Sequence, residues 1–429
     1  VSKAIYVGAI ANLAARLTGL VASFLNVLLL GRLLNADEFG IWAWLFAIFS
    51  LITAQDFGYI SAMRVRIGKN LGPGNSAENK ALYATTFLMT VVILLLIAFG
   101  VLVYSTLHTE TKDHASLRNI AIICSSITIL GTVSAQSLLA HLETSIVGYI
   151  EAARSIVQIS IFSAAYFFNW SLTALVIYFF LSAMLYVPLV GKIFLLTTGW
   201  TSAEILKITI AHFQKTKLIA LSLLKEGWVL WIVQIVMVML LGSDVYLAGF
   251  FLAPEDVAKV SVISRFQLLG VGLLAAALIP VIANFVAHLG KITKSSVMHK
   301  IHQGYLIFFA VGLFYAVVFT FIGQPVAQLW SHIYIDKPFV FSLSGLLLFL
   351  TLSATLMQIF IQFSEVSKAL AVWLAPLIAI KIFLSQFLSS HFGYSGIFMA
   401  SIVTVALFLM LSYSLLFRQG LYERLCSAQ

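Results

Sequence analysis

The sequence predicts an all-α polytopic membrane protein, with about twelve transmembrane helices in two six-helix lobes around a central cavity. Composition is the first observation. The 429 residues are 61% hydrophobic and 10% charged, with a mean hydropathy of +1.04, against about 25% charged residues in ordinary soluble domains. The second is a series of apolar stretches long enough to cross a ~30 Å hydrocarbon core. The third is a hydrophilic connection near the middle that divides the spans six and six.

The spans fall near 5–30, 39–63, 81–106, 119–140, 146–168, 172–196, 226–250, 257–286, 304–322, 339–363, 369–388 and 396–417. The first follows Lys3 at once and is too long for a signal-peptide core, so it reads as a retained span. Polar positions near Glu143, Asn169 and Ser364 divide what would otherwise be longer apolar runs. The domain plan is therefore an N-terminal lobe (1–196), a connection (197–225), a C-terminal lobe (226–417) and a tail (418–429). In the connection, the spacing of Leu206, Ile210 and Phe213 against Lys207, Lys215 and Lys217 predicts an amphipathic helix on the membrane surface.

Charge placement sets the orientation. With a cytoplasmic N-terminus, the inner segments hold fifteen Lys and Arg and the outer loops hold four, which is the positive-inside pattern. The formal +9 divides into +9 inside, −3 outside and +3 within the spans. The basic balance thus reflects topology, and nucleic acid is not an expected partner. Both termini are expected to be cytoplasmic. Seven tryptophans, Trp42 and Trp44 among them, fall near span ends, where interfacial anchors sit.

The halves show a faint internal match. Setting Gly31 against Gly249 places GRLLNADEFG beside GFFLAPEDVA, pairing Asp37 with Glu255 and Glu38 with Asp256. The same offset puts Asn26 opposite Asp244 and Arg16 opposite Gln234. An even number of spans per half implies a parallel repeat about an axis along the membrane normal.

Nine ionisable side chains lie inside the spans: Arg16, Asp56, Glu151, Arg154, Lys192, Asp244, Lys259, Arg265 and Lys381. An intramembrane charge is costly, so each is expected to face a wet cavity or a partner. Six are cationic and three anionic, and a net-positive cavity suits an anionic cargo. In the first span Asn12, Arg16, Gly19, Ser23 and Asn26 recur at intervals of 4, 3, 4 and 3, sharing one helix face. That stripe reads either as a cavity lining or as a packing face with Arg16 paired to Asp56. Glu151 and Arg154 are i,i+3 and able to neutralise each other. Arg265 and Lys381 have no acid within a turn of their own helices, and either could meet Asp244 across a helix interface. The candidate cargo-binding residues are Asn12, Arg16, Asn26, Arg154, Arg265 and Lys381. Asp56, Glu151 and Asp244 are candidates for ion coupling or for structural pairs. Lys192 and Lys259 lie near span ends and are expected to snorkel.

Several classes are disfavoured. Gly-Lys occurs at 68–69, 191–192 and 290–291, never followed by Ser or Thr, so no Walker A loop is present. The two cysteines, Cys124 and Cys426, provide neither a disulfide framework nor a metal spacing. The longest outer loop, 323–338, is small for the acceptor-binding region of a membrane glycosyltransferase or polymerase. No metal or other cofactor is called for, and coupling to a proton or sodium gradient stays open.

The segment LLLGRLLNADEFGIWAW, ending the first span and opening the second, resembles the polysaccharide exporter family, the O-antigen and exopolysaccharide flippases of bacteria. That family often shows a basic residue, two aliphatics, a polar turn, Glu, an aromatic and Gly here; the counterparts are Arg32, Leu33, Leu34, Asn35 to Asp37, Glu38, Phe39 and Gly40. The resemblance covers roughly residues 16–70, with the twelve-span outline matching beyond it. It implies a non-enzymatic flippase in the bacterial inner membrane, moving polyprenyl-diphosphate-linked oligosaccharide by alternating access. The implied partners are that glycolipid, membrane lipids and other polysaccharide-assembly proteins. Ion-coupled multidrug exporters of the same superfamily share the architecture and supply the alternative.

Overall fold

A computed structural model describes residues 2–71, 75–107, 115–211, 213–268, 271, 294–362 and 367–418. Among them every regular element is an α-helix. The first unit contains α1 (Ser2–Leu33) up to Leu25, the end of α2 (Ala36–Thr53) from Leu45, α3 (Tyr59–Lys69), α4 (Ser76–Leu107), α5 (Ala115–Ala140), α6 (Thr144–Phe167), α7 (Leu172–Thr198), α8 (Ser202–Ala211) and α9 (Phe213–Gly242) up to Gln234. The second contains residues 26–44, the end of α9, α10 (Asp244–Phe251), α11 (254–268), α12 (Lys294–Ser331), α13 (Phe339–Gln362), α14 (Ser367–Phe392) and α15 (Tyr394–Arg418).

Among the described residues ten helices are long and apolar enough to cross a membrane, and Phe339–Thr355 adds a shorter apolar stretch. The rest of the expected eighth span, beyond α11, lies largely outside the described residues. Leu95, Phe99 and Phe321 are more than 60% exposed, an arrangement that lipid tolerates and water does not.

Two expected spans are interrupted. The span read as 39–63 stops at Thr53 and restarts as α3, and the reason is a close backbone approach. Gly58 has φ 68°, and a Cβ there would overlap the Gly227 carbonyl of α9. Asp56 holds the turn, accepting from the Gly58 amide at 2.8 Å and from the Ser61 hydroxyl. The span read as 226–250 breaks at Ser243 between α9 and α10. The loop expected at 323–338 is also shorter, since α12 continues through Pro325 to Ser331.

The first unit packs around Tyr59, Met63, Ile129, Val133, Tyr186 and Phe194. Tyr83 stacks on Phe194 at 4.4 Å, and Phe194 meets Trp200 edge-on at 5.3 Å. In the second unit Phe266 meets Trp330 at 4.6 Å and Tyr315 stacks on Phe319 at 4.3 Å. There α12 and α13 approach through small residues, a Cβ on Gly312 falling 3.0 Å from the Gly345 carbonyl.

The segment that carries the family resemblance proves to be structural. Asn35 Oδ1 accepts from the Glu38 amide at 2.9 Å, and Glu38 Oε2 accepts from the Asn35 amide at 3.3 Å. This is a reciprocal capping box that starts α2. Arg32 donates to the Leu329 carbonyl, Phe39 is buried, and a Cβ on Gly40 would overlap the Pro254 carbonyl. Pro254 opens α11 at the position where proline is pre-organised for a helix start. The faint repeat thus aligns two helix starts, Ala36 and residue 254.

Candidate functional site

The polar cavity best supported as a site lies inside the first unit. It has a volume of about 410 Å³, walled by α2, α5, α6 and α7. From α5 come Thr128, Thr132 and Gln136, one helical turn apart and therefore on one face. From α2 come Phe49, Ser50 and Thr53, from α6 Glu151 and Arg154, and from α7 Tyr186.

Arg154 is held by charge and rings. Its Nη1 lies 3.6 Å from Glu151 Oε2, an ion pair too long for a hydrogen bond. Its guanidinium carbon sits 4.9 Å from the centre of the Tyr186 ring and 5.6 Å from that of Phe49, within cation–π range. The Tyr186 hydroxyl donates to Glu151 Oε1 at 2.9 Å, fixing the carboxylate that faces the arginine. Among the described residues the Arg154 guanidinium makes no hydrogen bond, although it carries five N–H donors. The side chain is 24% exposed. The lining is therefore formally neutral, with hydroxyl and amide groups opposite a cation whose donors are open.

Gln136 Oε1 accepts from Arg64 of α3 at 3.0 Å. Gln136, Thr128 and Thr132 were overlooked, though their 4, 4 spacing inside an apolar span was there to see.

The remaining sequence candidates separate. Asn12 and Arg16 are exposed on α1, which lies beside α6: a Cβ on Gly19 would sit 3.7 Å from Ser155 Oγ. Arg16 makes no ion pair with Asp56, whose carboxylate is committed to the Gly58–Ser61 turn. Asn26 is 3% exposed and accepts from the Trp42 indole at 3.0 Å, so Trp42 is a core residue and not an interfacial anchor. Lys381 is fully buried and bonded to Asp244 at 2.8 Å, the cross-helix pairing that the sequence offers as one alternative. Arg265 is half-buried on α11. Lys192 is exposed near the end of α7.

Lys259 does not simply snorkel. It lies 3.2 Å from Glu255, 3.1 Å from Asp256 and 3.5 Å from Asp336. The Tyr394 hydroxyl donates to Asp336 Oδ1 at 2.9 Å. Burial pushes the Asp336 carboxyl up, but the Tyr394 hydrogen bond and the Lys259 ammonium outweigh it and hold the group below its ordinary value. Lys381 and Arg154 pair with acids already counted in the embedded +3, so of these pairings only that of Lys259 with Glu255, Asp256 and Asp336 lowers the excess.

Among the described residues no group of three or more His, Cys, Asp or Glu is placed to hold a metal ion.

No protein-family model matches the chain, and no curated protein matches it. Solved structures do. An inward-facing multidrug-resistance MATE-family transporter of the MOP superfamily aligns with TM-score 0.65 and 15% identity, over 95% of this chain and 97% of that one. The lipid II flippase MurJ, in an inward closed conformation, aligns with TM-score 0.65 and 14% identity, over 98% and 89%. A MOP-superfamily transporter from Pyrococcus furiosus, described as having a binding pocket of reversed polarity, aligns with TM-score 0.57 and 14% identity, over 96% and 95%. The chain has the fold of these transporters. At such identities the likeness concerns the fold alone, and the multi-pass membrane architecture follows from the helices themselves.

Proposed function

We propose that the protein is a flippase, translocating a polyprenyl-diphosphate-linked oligosaccharide across the bacterial inner membrane, and that the cavity of the first unit engages the head group. The observation that carries this reading is Arg154, held by two rings and a loose ion pair with its N–H donors open, facing a wall of hydroxyls and an amide. Sugar hydroxyls and phosphate oxygens both accept hydrogen bonds, and guanidinium groups meet phosphate in fork geometry. Alternating access would carry the head group across. The MurJ neighbour, a lipid II flippase, supports the class of cargo.

The MATE neighbours supply the second reading, export of an organic cation. The cavity does offer one carboxylate, Glu151, and two aromatic faces. Its carboxylate, however, is engaged by Tyr186 and faces Arg154, which opposes a cationic guest.

Thermal stabilisation of the purified protein separates the two. A lipid-diphosphate oligosaccharide should raise the unfolding midpoint of the wild type and lose that effect in Arg154→Gln, while organic cations leave it unmoved. Stabilisation by organic cations alone would reverse the assignment. Cytoplasmic termini belong to the same proposal: a cysteine at Asn75 should resist an impermeant reagent added outside intact cells, and ready labelling there would invert the topology.

A further inference from the structure

The break between α9 and α10 places an ammonium where a broken transmembrane helix otherwise offers a site to a free cation. Helix α9 ends at Gly242, and Ser243 turns the chain with φ −94° and ψ 1° before α10 begins. A helix end leaves its last carbonyls without intrahelical donors. One of them, the Leu240 carbonyl, accepts from Lys381 Nζ at 2.7 Å. The same nitrogen donates to Asp244 Oδ1 at 2.8 Å, and the Ser401 hydroxyl donates to that oxygen at 2.6 Å. Lys381 is 0% exposed, Asp244 7% and Ser401 0%.

The groups around the nitrogen are hard oxygens: a carboxylate from α10, a carbonyl from the end of α9 and, one bond further out, a hydroxyl from α15. Oxygen ligands of this kind suit hard metal cations, and unwound carbonyls with half-helix ends coordinate Na⁺ in transporters with broken helices. Here one positive charge, supplied by α14, already neutralises the carboxylate. An ion taken from solution can leave and so couple a conformational cycle to its gradient. An ammonium fixed to the chain cannot.

We infer that Lys381 is a tethered cation that fills a latent monovalent-cation site formed by Leu240, Asp244 and Ser401, so that this unit carries its counter-charge without binding Na⁺. The native protein is Na⁺-independent at this site, and removing the ammonium opens it.

The test uses the purified full-length protein in detergent and follows thermal unfolding as NaCl replaces choline chloride at constant ionic strength. Wild type should unfold at the same midpoint in both salts. Lys381→Ala should be stabilised by Na⁺ and not by choline, the folded-to-unfolded ratio rising about tenfold at ten times the half-saturating concentration. Lys381→Ala combined with Asp244→Asn should lose that response. Recovery of folded Lys381→Ala only when Na⁺ is present throughout purification also supports the assignment. Should it be recovered in neither salt, Lys381→Gln takes its place in the same titration. A folded Lys381→Ala or Lys381→Gln variant indifferent to Na⁺ overturns the inference, as does Na⁺-specific stabilisation of the wild type. No cargo enters the experiment, so its outcome is separate from that of the proposed function.

Discussion

Replacing Arg154 by Gln is the sharpest test of the cavity, because its structural and functional costs differ in size. The ion pair to Glu151 is part-exposed and contributes about 0.2–1 kcal/mol. The two ring contacts, at 4.9 and 5.6 Å, contribute about 0.5–1 kcal/mol each. The total, on the order of 1–3 kcal/mol, lowers stability without an uncompensated buried charge, since Glu151 is 40% exposed and keeps its Tyr186 donor. The functional loss is larger if the open N–H donors meet cargo. Each charge-assisted hydrogen bond is worth about 1.5–3 kcal/mol, so losing one costs roughly tenfold to a hundredfold in flipping at limiting glycolipid. Arg154→Lys should keep the charge but lose the fork and fall between. The assay is glycolipid export in cells at matched protein level, with monodispersity in detergent checked by size-exclusion chromatography. Export at the wild-type rate in a well-folded Arg154→Gln would refute the role given to this side chain.

Three other outcomes are expected. Gly40→Ala puts a methyl group into the Pro254 carbonyl, and overpacking of that kind costs about 1–3 kcal/mol; a lower thermal midpoint checks it, and an unchanged one would mean α2 shifts freely. Asp244→Asn leaves the Lys381 ammonium buried without its counter-charge, which costs about 3–5 kcal/mol, whereas Asp244→Asn with Lys381→Met should regain most of that; thermal melts of the single and double variants measure it. Asp336 has a depressed folded pKa, so its contribution is fully present above the unfolded value of about 4 and is lost as pH falls through the folded value. Asp336→Asn should therefore flatten the acid limb of a stability-versus-pH curve, and an identical limb would remove Asp336 from the account.

Span positions were legible in the sequence because apolar length is dictated by the bilayer and needs no knowledge of neighbours. The helix starts at Ala36 and residue 254 precede the expected span starts near 39 and 257 by three residues and are set by local chemistry, Asn35 with Glu38 in one case and Pro254 in the other. The interruptions at 54–58 and Ser243 were hidden within apolar runs. The first depends on Gly227 approaching Gly58 from a distant helix. The pairing of Lys381 with Asp244 spans 137 positions, so the sequence could offer it only as one alternative, with Arg265 an equal candidate for the same acid. The stripe from Thr128 to Gln136 was visible but ambiguous. A threonine in an apolar helix can bond its own backbone, as Thr128 does to the Ser125 carbonyl at 2.6 Å, and spacing alone does not separate that role from a cavity wall. The arginine of the cavity was named, but its ring contacts needed α2 and α7 in place.

Translocation by the purified protein in liposomes tests the central claim most directly. Vesicles loaded with a lipid-diphosphate oligosaccharide in one leaflet should expose it in the other at a rate that depends on active protein and falls with Arg154→Gln. The same vesicles should show no protein-dependent efflux of a fluorescent organic cation. Protein-dependent cation efflux together with no glycolipid translocation would contradict the account.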